Sequence, residues 1–162
     1  FLKASSLALK KVPTCRFLVI GGGPSLEDLK EQAQELGIAE AVLFLGPRYD
    51  IPYLLNLSSV AVLSSTDVES APICMLEALA SGLPIIASRF SGAAELITHK
   101  LNGMVLEDPG NPKEIANHIN HLNDYKFREA MGRQGRRLAE QFSIEKNTEK
   151  ILRLYKNLLP PP

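Results

Sequence analysis

Short apolar runs recur along the first two thirds of the chain, each bounded by glycine or proline, and none alternates apolar with polar positions. Runs of this kind predict strands buried on both faces, as in a parallel sheet covered by helices. They lie at 16–20, 41–45, 60–63, 84–87 and 104–106. Between them, apolar residues recur at helical spacing. The spacing predicts helices over 25–36, 51–58, 73–81 and 93–98, with Gly37 and Gly82 as stop signals. After Asp108, Pro109 and Gly110 the strand pattern ceases. Helices are expected at 112–122, 125–142 and 144–159, the last with Ser143 as its N-cap. Strands alternating with helices predict an α/β fold, a Rossmann-like three-layer domain with a mostly parallel sheet and added C-terminal helices. Residues 1–11 also have helical spacing, yet no strand precedes them. A helix in this architecture crosses over from a strand, so the chain is expected to begin inside a larger protein. The domain is assigned to 1–159, lacking its first strand, with 160–162 as a tail.

Composition narrows the class. The chain has 162 residues, 45% of them hydrophobic, and a net charge of zero. That suits one globular domain with a sizeable core. A zero balance gives no global attraction to nucleic acid or to an anionic membrane. No apolar run approaches the roughly 20 residues needed to span a bilayer. The opening Phe1, Leu2, Lys3 and Ala4 lack the basic start and long apolar stretch of a secretory leader. Cys15 and Cys74 are too few and too far apart for a disulfide framework or a zinc site, so the expected compartment is the cytoplasm. Cys74 is read as a small buried apolar residue.

The candidate chemistry centres on Glu69 and Glu77, eight positions apart across the junction of a strand and a helix. Pro72 suits the first turn of that helix, where its missing N–H costs nothing. Ligands of open α/β sheets bind at the carboxyl ends of strands, and helix-start amides favour phosphate. Two carboxylates beside a phosphate point to a ligand that also carries hydroxyls, such as a ribose and a sugar. Gly21, Gly22 and Gly23 follow the first strand, but the third glycine of a dinucleotide fingerprint is replaced by Leu26. The turn is therefore read as a close approach of strand and helix that lines the cleft. Lys10 and Lys11 end the first helix and are read as solvated. His99, His118 and His121 lack metal-ligand spacing. Arg133, Arg136 and Arg137 form a basic helical face, read as solvated surface.

These landmarks together resemble retaining GT-B glycosyltransferases of the family 4, or group 1, type. The resemblance rests on the paired glutamates with seven residues between them, the following Ala80, Ser81 and Gly82, and the Pro84-led strand. It is supported by the strand and glycine turn ending at Pro24, the strand ending at Gly46, the Gly92 to Glu95 stretch, and Asn102-Gly103. It covers essentially the whole chain and implies the C-terminal, donor-binding domain of a two-domain enzyme. By position, Glu77 would bind ribose hydroxyls and Glu69 would contact donor-sugar hydroxyls near the reacting carbon. Ser70, Ala71, Pro72, Ile73 and Cys74 would line the sugar and phosphate, in part through backbone amides. Gly22 and Gly23 would line the cleft. Gly46, Pro47 and Arg48 lie where the family's chain passes the base; Arg48 either stacks there or is a solvated loop arginine. The implied donor is a UDP-, GDP- or ADP-linked sugar, with no metal cofactor. The implied acceptor is a glycan or lipid-linked molecule in cell-surface polysaccharide or glycolipid synthesis. Peripheral association of the full-length protein with the inner face of the membrane is expected, and nucleic acid is not a partner.

Two departures stand out. The basic pair that clamps the diphosphate in the family lies in a loop before the first helix, ahead of Phe1, so the fragment is expected to have little transferase activity alone. Ser70, Ala71 and Pro72 also replace the commoner Gly-Phe-Gly, and Pro72 cannot donate a hydrogen bond. The last helix carries apolar residues beyond one narrow stripe, so part of it is expected to be exposed or to pack against another copy. Two other readings stand beside the transferase: a GT-B-type nucleotide-sugar epimerase and a non-catalytic nucleotide-binding module.

Overall fold

The computed structural model describes residues 1–67 and 73–158. Its elements run α1 (Leu2–Leu9), β1 (Phe17–Ile20), α2 (Leu26–Glu35), β2 (Val42–Gly46), α3 (Ile51–Leu57), β3 (Ala61–Leu63), α4 (Ile73–Ala80), β4 (Ile85–Ser88), β5 (Gly103–Leu106), α5 (Pro112–His121), α6 (Tyr125–Ala139) and α7 (Ile144–Leu158). The stops fall where the glycines predict them. Gly37 and Gly82 adopt φ of 67° and 76°, the left-handed conformation that closes a helix. Between β4 and β5 the expected helix is a short 3₁₀ turn, Gly92–Leu96, capped by Ser91, whose Oγ accepts the Ala93 N–H at 3.2 Å. The helix expected over 125–142 ends at Ala139 and tightens into a 3₁₀ turn, Glu140–Phe142. Ser143 Oγ then accepts the Lys146 N–H at 3.4 Å, as its assignment as N-cap requires. Leu159 and the tail lie outside the described residues.

Every strand pairing is parallel, as the unalternated apolar runs predict. The single sheet expected is, however, two: β1 pairs with β2, and β3, β4 and β5 pair in that order. The two share one core. Phe17, Val42, Ile86, Met104 and Leu106 from both sheets pack with Leu2 and Ala8 of α1, Ala33 of α2 and Ile115 of α5. On the opposite face, Ile85 and Ala87 of β4 pack with Met75, Ala78 and Leu79 of α4, with Leu55 of α3 against them. The central β4 is fully enclosed, with Ile85, Ile86, Ala87 and Ser88 all at 0% exposure. Burying an isoleucine side chain such as Ile85 or Ile86 contributes about 1.5–3 kcal/mol.

The C-terminal helices lock onto this layer by close backbone contact. Gly132 of α6 faces the turn after α4, and a Cβ there would overlap the carbonyl oxygen of Gly82. One turn on, a Cβ at Gly135 would stand 2.6 Å from Leu79 Cδ2. Small residues are thus what let α6 lie against α4. By contrast, α7 has no buried residue. Its apolar side chains, Ile144 (73%), Leu154 (59%) and Leu158 (73%) among them, are exposed, as the breadth of its apolar pattern predicts.

The exit of β5 is held by Glu114 of α5. Its two carboxylate oxygens accept the N–H groups of Glu107 and Asp108, each at 2.9 Å. His118 lies one turn further, with Nε2 3.8 Å from Glu114 Oε1 and its ring 5.8 Å from that of His99. At that distance no hydrogen bond forms, and His118 Nε2 has no hydrogen-bond partner. Burial pushes the His118 pKa down, and neighbouring His99 and His121 add to this, against smaller opposing pulls from Glu114 and the Val105 backbone.

Two predictions follow from these contacts. Gly132→Ala should destabilise the fold by about 3 kcal/mol, a fall in Tm of roughly 10 °C, whereas Gln134→Ala on the exposed side of α6 should change it little. Thermal melts that leave both variants at the wild-type Tm would remove the close-contact role. For His118, the folded pKa is below the unfolded value of about 6.5. The unfolded chain therefore binds the extra proton first, and stability present above about pH 6.5 is lost as pH falls through the folded pKa. Between pH 7.5 and 5.5 the wild type should lose more Tm than His118→Gln; equal losses would show that His118 carries none of the dependence.

Candidate functional site

In a parallel sheet all strand exits lie on one edge, which brings together residues far apart in sequence. After β1 the chain turns through Gly21 and Gly23, at φ of 118° and 156°, conformations that favour glycine. The Gly21 N–H donates to the Gly46 carbonyl at 2.9 Å, tying the exit of β1 to that of β2. Gly22 lies against Pro47: a Cβ there would be 3.6 Å from the proline ring, an ordinary contact. The predicted lining residues Gly22, Gly23, Gly46 and Pro47 are thus brought together at this edge. α2 follows directly and carries Glu27 and Asp28 in its first turn. Those acids favour the helix start and make it a poor seat for a second anion.

Arg48 is held in place by a neighbour that the sequence reading did not single out. Its Nε and Nη2 donate to Asp50 Oδ1 and Oδ2 at 2.8 and 2.6 Å, a bidentate fork. Each partner favours the other's charged state: Asp50 holds the Arg48 pKa up, and Arg48 holds the Asp50 carboxyl below its usual range. Arg48, expected either to stack on the base or to be a solvated loop arginine, is thus paired with Asp50 while its side chain stays 41% exposed. Asp50 is also the N-cap position of α3, but its side chain caps no amide. Beside it Tyr49 is fully exposed, at 101%. Both residues directly follow a buried strand, which is the signal that could have marked them.

β3 leads into Ser64, Ser65, Thr66 and Asp67. The next five residues, including the predicted Glu69, Ser70, Ala71 and Pro72, lie outside the described residues. α4 begins at Ile73. Its inward positions are Met75, Ala78 and Leu79, which turns Ile73, Cys74, Glu77 and Ala80 outward. Ile73 is 72% exposed, and Glu77 stands one turn along the same face. Cys74 is exposed rather than buried, a correction that follows from the period: it precedes Met75, the first core residue of the helix. At the exit of β4, Arg89 stacks over the Phe90 ring at 4.9 Å and reaches Glu107 Oε2 at 3.3 Å. It adds an unforeseen exposed cation to the edge.

No group of three or more His, Cys, Asp or Glu able to hold a metal occurs among the described residues. Among them, also, no helix is long and apolar enough to cross a membrane. A depression of about 260 Å³ is lined by Leu9, Pro13, Arg16 and Ile38 at the opposite, amino end of β1 and β2. That is the wrong end of a parallel sheet for a ligand, so the exit edge remains the candidate site.

The family described as "Glycosyl transferases group 1" matches residues 1–138. An Escherichia coli UDP-Gal:alpha-D-GlcNAc-diphosphoundecaprenol alpha-1,3-galactosyltransferase is 34% identical over 149 residues, covering 89% of this chain and 37% of the relative. The N-acetyl-alpha-D-glucosaminyl L-malate synthase of Bacillus anthracis is 32% identical over 146 residues, covering 89% and 38%. The chain thus spans about two fifths of the length of the curated relatives it matches. Among solved structures, Anabaena Alr3699/HepE in complex with UDP superposes with a TM-score of 0.88 at 27% identity, covering 96% of this chain and 44% of that one. The C-terminal domain of a group 1 glycosyl transferase family protein (LpcC) from Francisella tularensis superposes at 0.80 with 26% identity, covering 89% and 78%. Taken with the parallel α/β architecture, these matches show that the chain belongs to the group 1 glycosyl transferase family.

Proposed function

We propose that this chain is the nucleotide-sugar-binding half of a glycosyltransferase, which moves a hexosyl-type sugar from a nucleoside diphosphate to a glycan or lipid-linked acceptor. The observation that carries the reading is the joining of the glycine turn to the Gly46–Pro47 turn at the exits of β1 and β2, in a family match over residues 1–138; the exposed face of α4 bears Glu77. The UDP complex of the Anabaena neighbour and the UDP-Gal named for the E. coli relative favour uridine as the base. The E. coli relative is named a galactosyltransferase, which favours transfer over epimerisation. The acceptor domain would come from the remainder of the full-length protein.

In this reading Glu77 accepts hydrogen bonds from the two ribose hydroxyls, a charge-assisted arrangement. Glu69 accepts from the donor-sugar hydroxyls and orients the reacting carbon. Backbone amides at Ala71, Ile73 and Cys74 meet the sugar and the phosphates, with Ser70 and Pro72 shaping that wall. Pro72 offers no N–H, so one amide contact is lost there. Departure of the nucleoside diphosphate is the step to be stabilised, by amides and cations aimed at the developing charge. The acceptor then attacks from the same face, with retention. No metal takes part in this scheme. The reaction runs at the cytoplasmic side of the membrane, where a lipid-linked acceptor would present its headgroup.

The test is a titration of the full-length protein with UDP, GDP and ADP, followed by calorimetry or by amide shifts. UDP should bind most tightly and move the resonances of Ile73 and Glu77. Glu77→Ala should weaken UDP at least tenfold, about 1.4 kcal/mol. Glu69→Ala should leave UDP unchanged and weaken the UDP-sugar. Equal UDP affinity in wild type and Glu77→Ala would remove the ribose assignment, and binding of none of the three nucleotides would sink the reading as a whole.

A further inference from the structure

β5 ends the β3, β4, β5 order, and the segment before it doubles back along its free edge. His99 and Gly103 form a parallel bridge, and the Lys100 N–H donates to the Gly103 carbonyl at 2.8 Å. Lys100 turns the chain there at a φ of 66°, a conformation side chains other than glycine rarely adopt. Two residues on, an amide of β5 is satisfied by a side chain: the Val105 N–H donates to Nδ1 of the His99 ring at 3.1 Å. An imidazole nitrogen accepts only while it carries no proton. The bond therefore fixes His99 as the neutral tautomer with its proton on Nε2. A proton taken up at Nδ1 turns that atom into a donor and sets two N–H groups against each other.

His118 stands against this ring, the two centroids 5.8 Å apart, with Nε2 unpartnered. Charging both rings in that position is opposed by their repulsion. The titratable neighbours acting on His118 are Glu114, His99 and His121. α1, packed with α5 in the shared core, buries Leu2, Ala4, Ser5 and Ala8 and leaves Lys3 and Lys10 exposed. α6 brings Phe127 edge-on to His121 at 5.1 Å, and Arg128, whose Nη1 donates to the Leu122 carbonyl at 2.8 Å. A charged His118 thus has Glu114 Oε1, 3.8 Å away, as its counter-ion. That oxygen already accepts the Glu107 N–H, and its companion oxygen the Asp108 N–H. Closing the gap to a charge-assisted bond of about 2.8 Å moves the carboxylate about 1 Å off those amides. The exit of β4 hangs on the same stretch. The Arg89 N–H donates to the Leu106 carbonyl at 3.1 Å, and Arg89 Nη1 reaches Glu107 Oε2 at 3.3 Å.

We infer that His99, His118 and Glu114 form a proton-operated latch on the exit of β5. With both rings neutral, His99 holds the Val105 amide and Glu114 holds those of Glu107 and Asp108. When the rings take up protons, His99 swings off the edge of the strand and Glu114 turns to His118. Residues 105–108 then open to water, and the Arg89–Glu107 pair parts with them. The open state binds the extra protons, so acid favours it. The direction agrees with His118, whose burial disfavours its charged form in the closed state. Closure is complete above the ordinary histidine value of about 6.5 and is lost as the pH falls through the lower closed-state value. The latch does not depend on which ligand the exit edge binds.

The test is NMR of the isotope-labelled full-length protein at about pH 7.5 and about pH 5.5, on either side of the histidine range. At the higher pH a scalar coupling across the hydrogen bond should join the Val105 amide nitrogen to His99 Nδ1, and at the lower pH it should vanish. Exchange of the Val105, Glu107 and Asp108 amides, corrected for its intrinsic pH dependence, should speed up at least about tenfold, while Ile85 and Ile86 of β4 change less than about threefold. His99→Asn keeps an acceptor, Oδ1, that takes up no proton; joined with His118→Gln, it should abolish the rise. A coupling absent at the higher pH or surviving at the lower one overturns the latch. So does an equal rise at β4, which would mean loosening of the whole domain, or the same rise in the double variant. Should that variant not fold, the wild-type coupling and exchange decide by themselves.

Discussion

A parallel strand is fully shielded from water only with a backbone partner on each edge and an apolar layer on each face. β4 meets all four conditions, and everything else in this molecule is arranged around it. β3 and β5 supply its hydrogen bonds in register, from Ala61 opposite Ile85 to Leu106 opposite Ser88. α4 covers one face and the shared core of α1 and α5 covers the other. α6 reaches this layer through backbone contact at Gly132 and Gly82, so the C-terminal helices are positioned by the turn that ends α4.

That arrangement also makes the candidate site. A sheet whose strands all run one way has an exit edge where turns must reverse the chain, and the residues there are chosen for turning and not for packing. Gly21 and Gly23 do so by conformation, and Gly46 by its φ of 64°. Arg48 and Asp50 do so by pairing with each other. On α4 the same helical period that buries Met75, Ala78 and Leu79 leaves Ile73 and Glu77 facing out at the edge. The outward position of Glu77 is a by-product of core packing, because the buried positions of the helix are Met75, Ala78 and Leu79.

Much of this was legible in the order of residues because the signals are local. Unalternated apolar runs mark doubly covered strands, and Gly37 and Gly82 end helices by a conformation few other residues adopt. What escaped was set by relations between distant segments. The division into two sheets depends on lateral neighbours, which no single strand's sequence reports. The Arg48–Asp50 fork was missed because a pair two positions apart forms only in a turn of the right shape. Cys74 was misread because cysteine is usually buried, and the phase of α4, set by Met75 and Ala78, overrides that tendency. Glu69 to Pro72 are legible only as a motif.

The bare apolar flank of α7 has a calorimetric meaning. Heat capacity rises on unfolding because apolar surface newly meets water. Ile144, Ile151, Leu152, Leu154, Tyr155 and Leu158 already meet it in the folded chain. Melting of this helix therefore adds less to the heat-capacity step than melting of a buried helix of the same length would. The cooperative unit of the domain closes at the turn of Glu140–Phe142, and the final helix draws its stability from whatever surface comes to cover it.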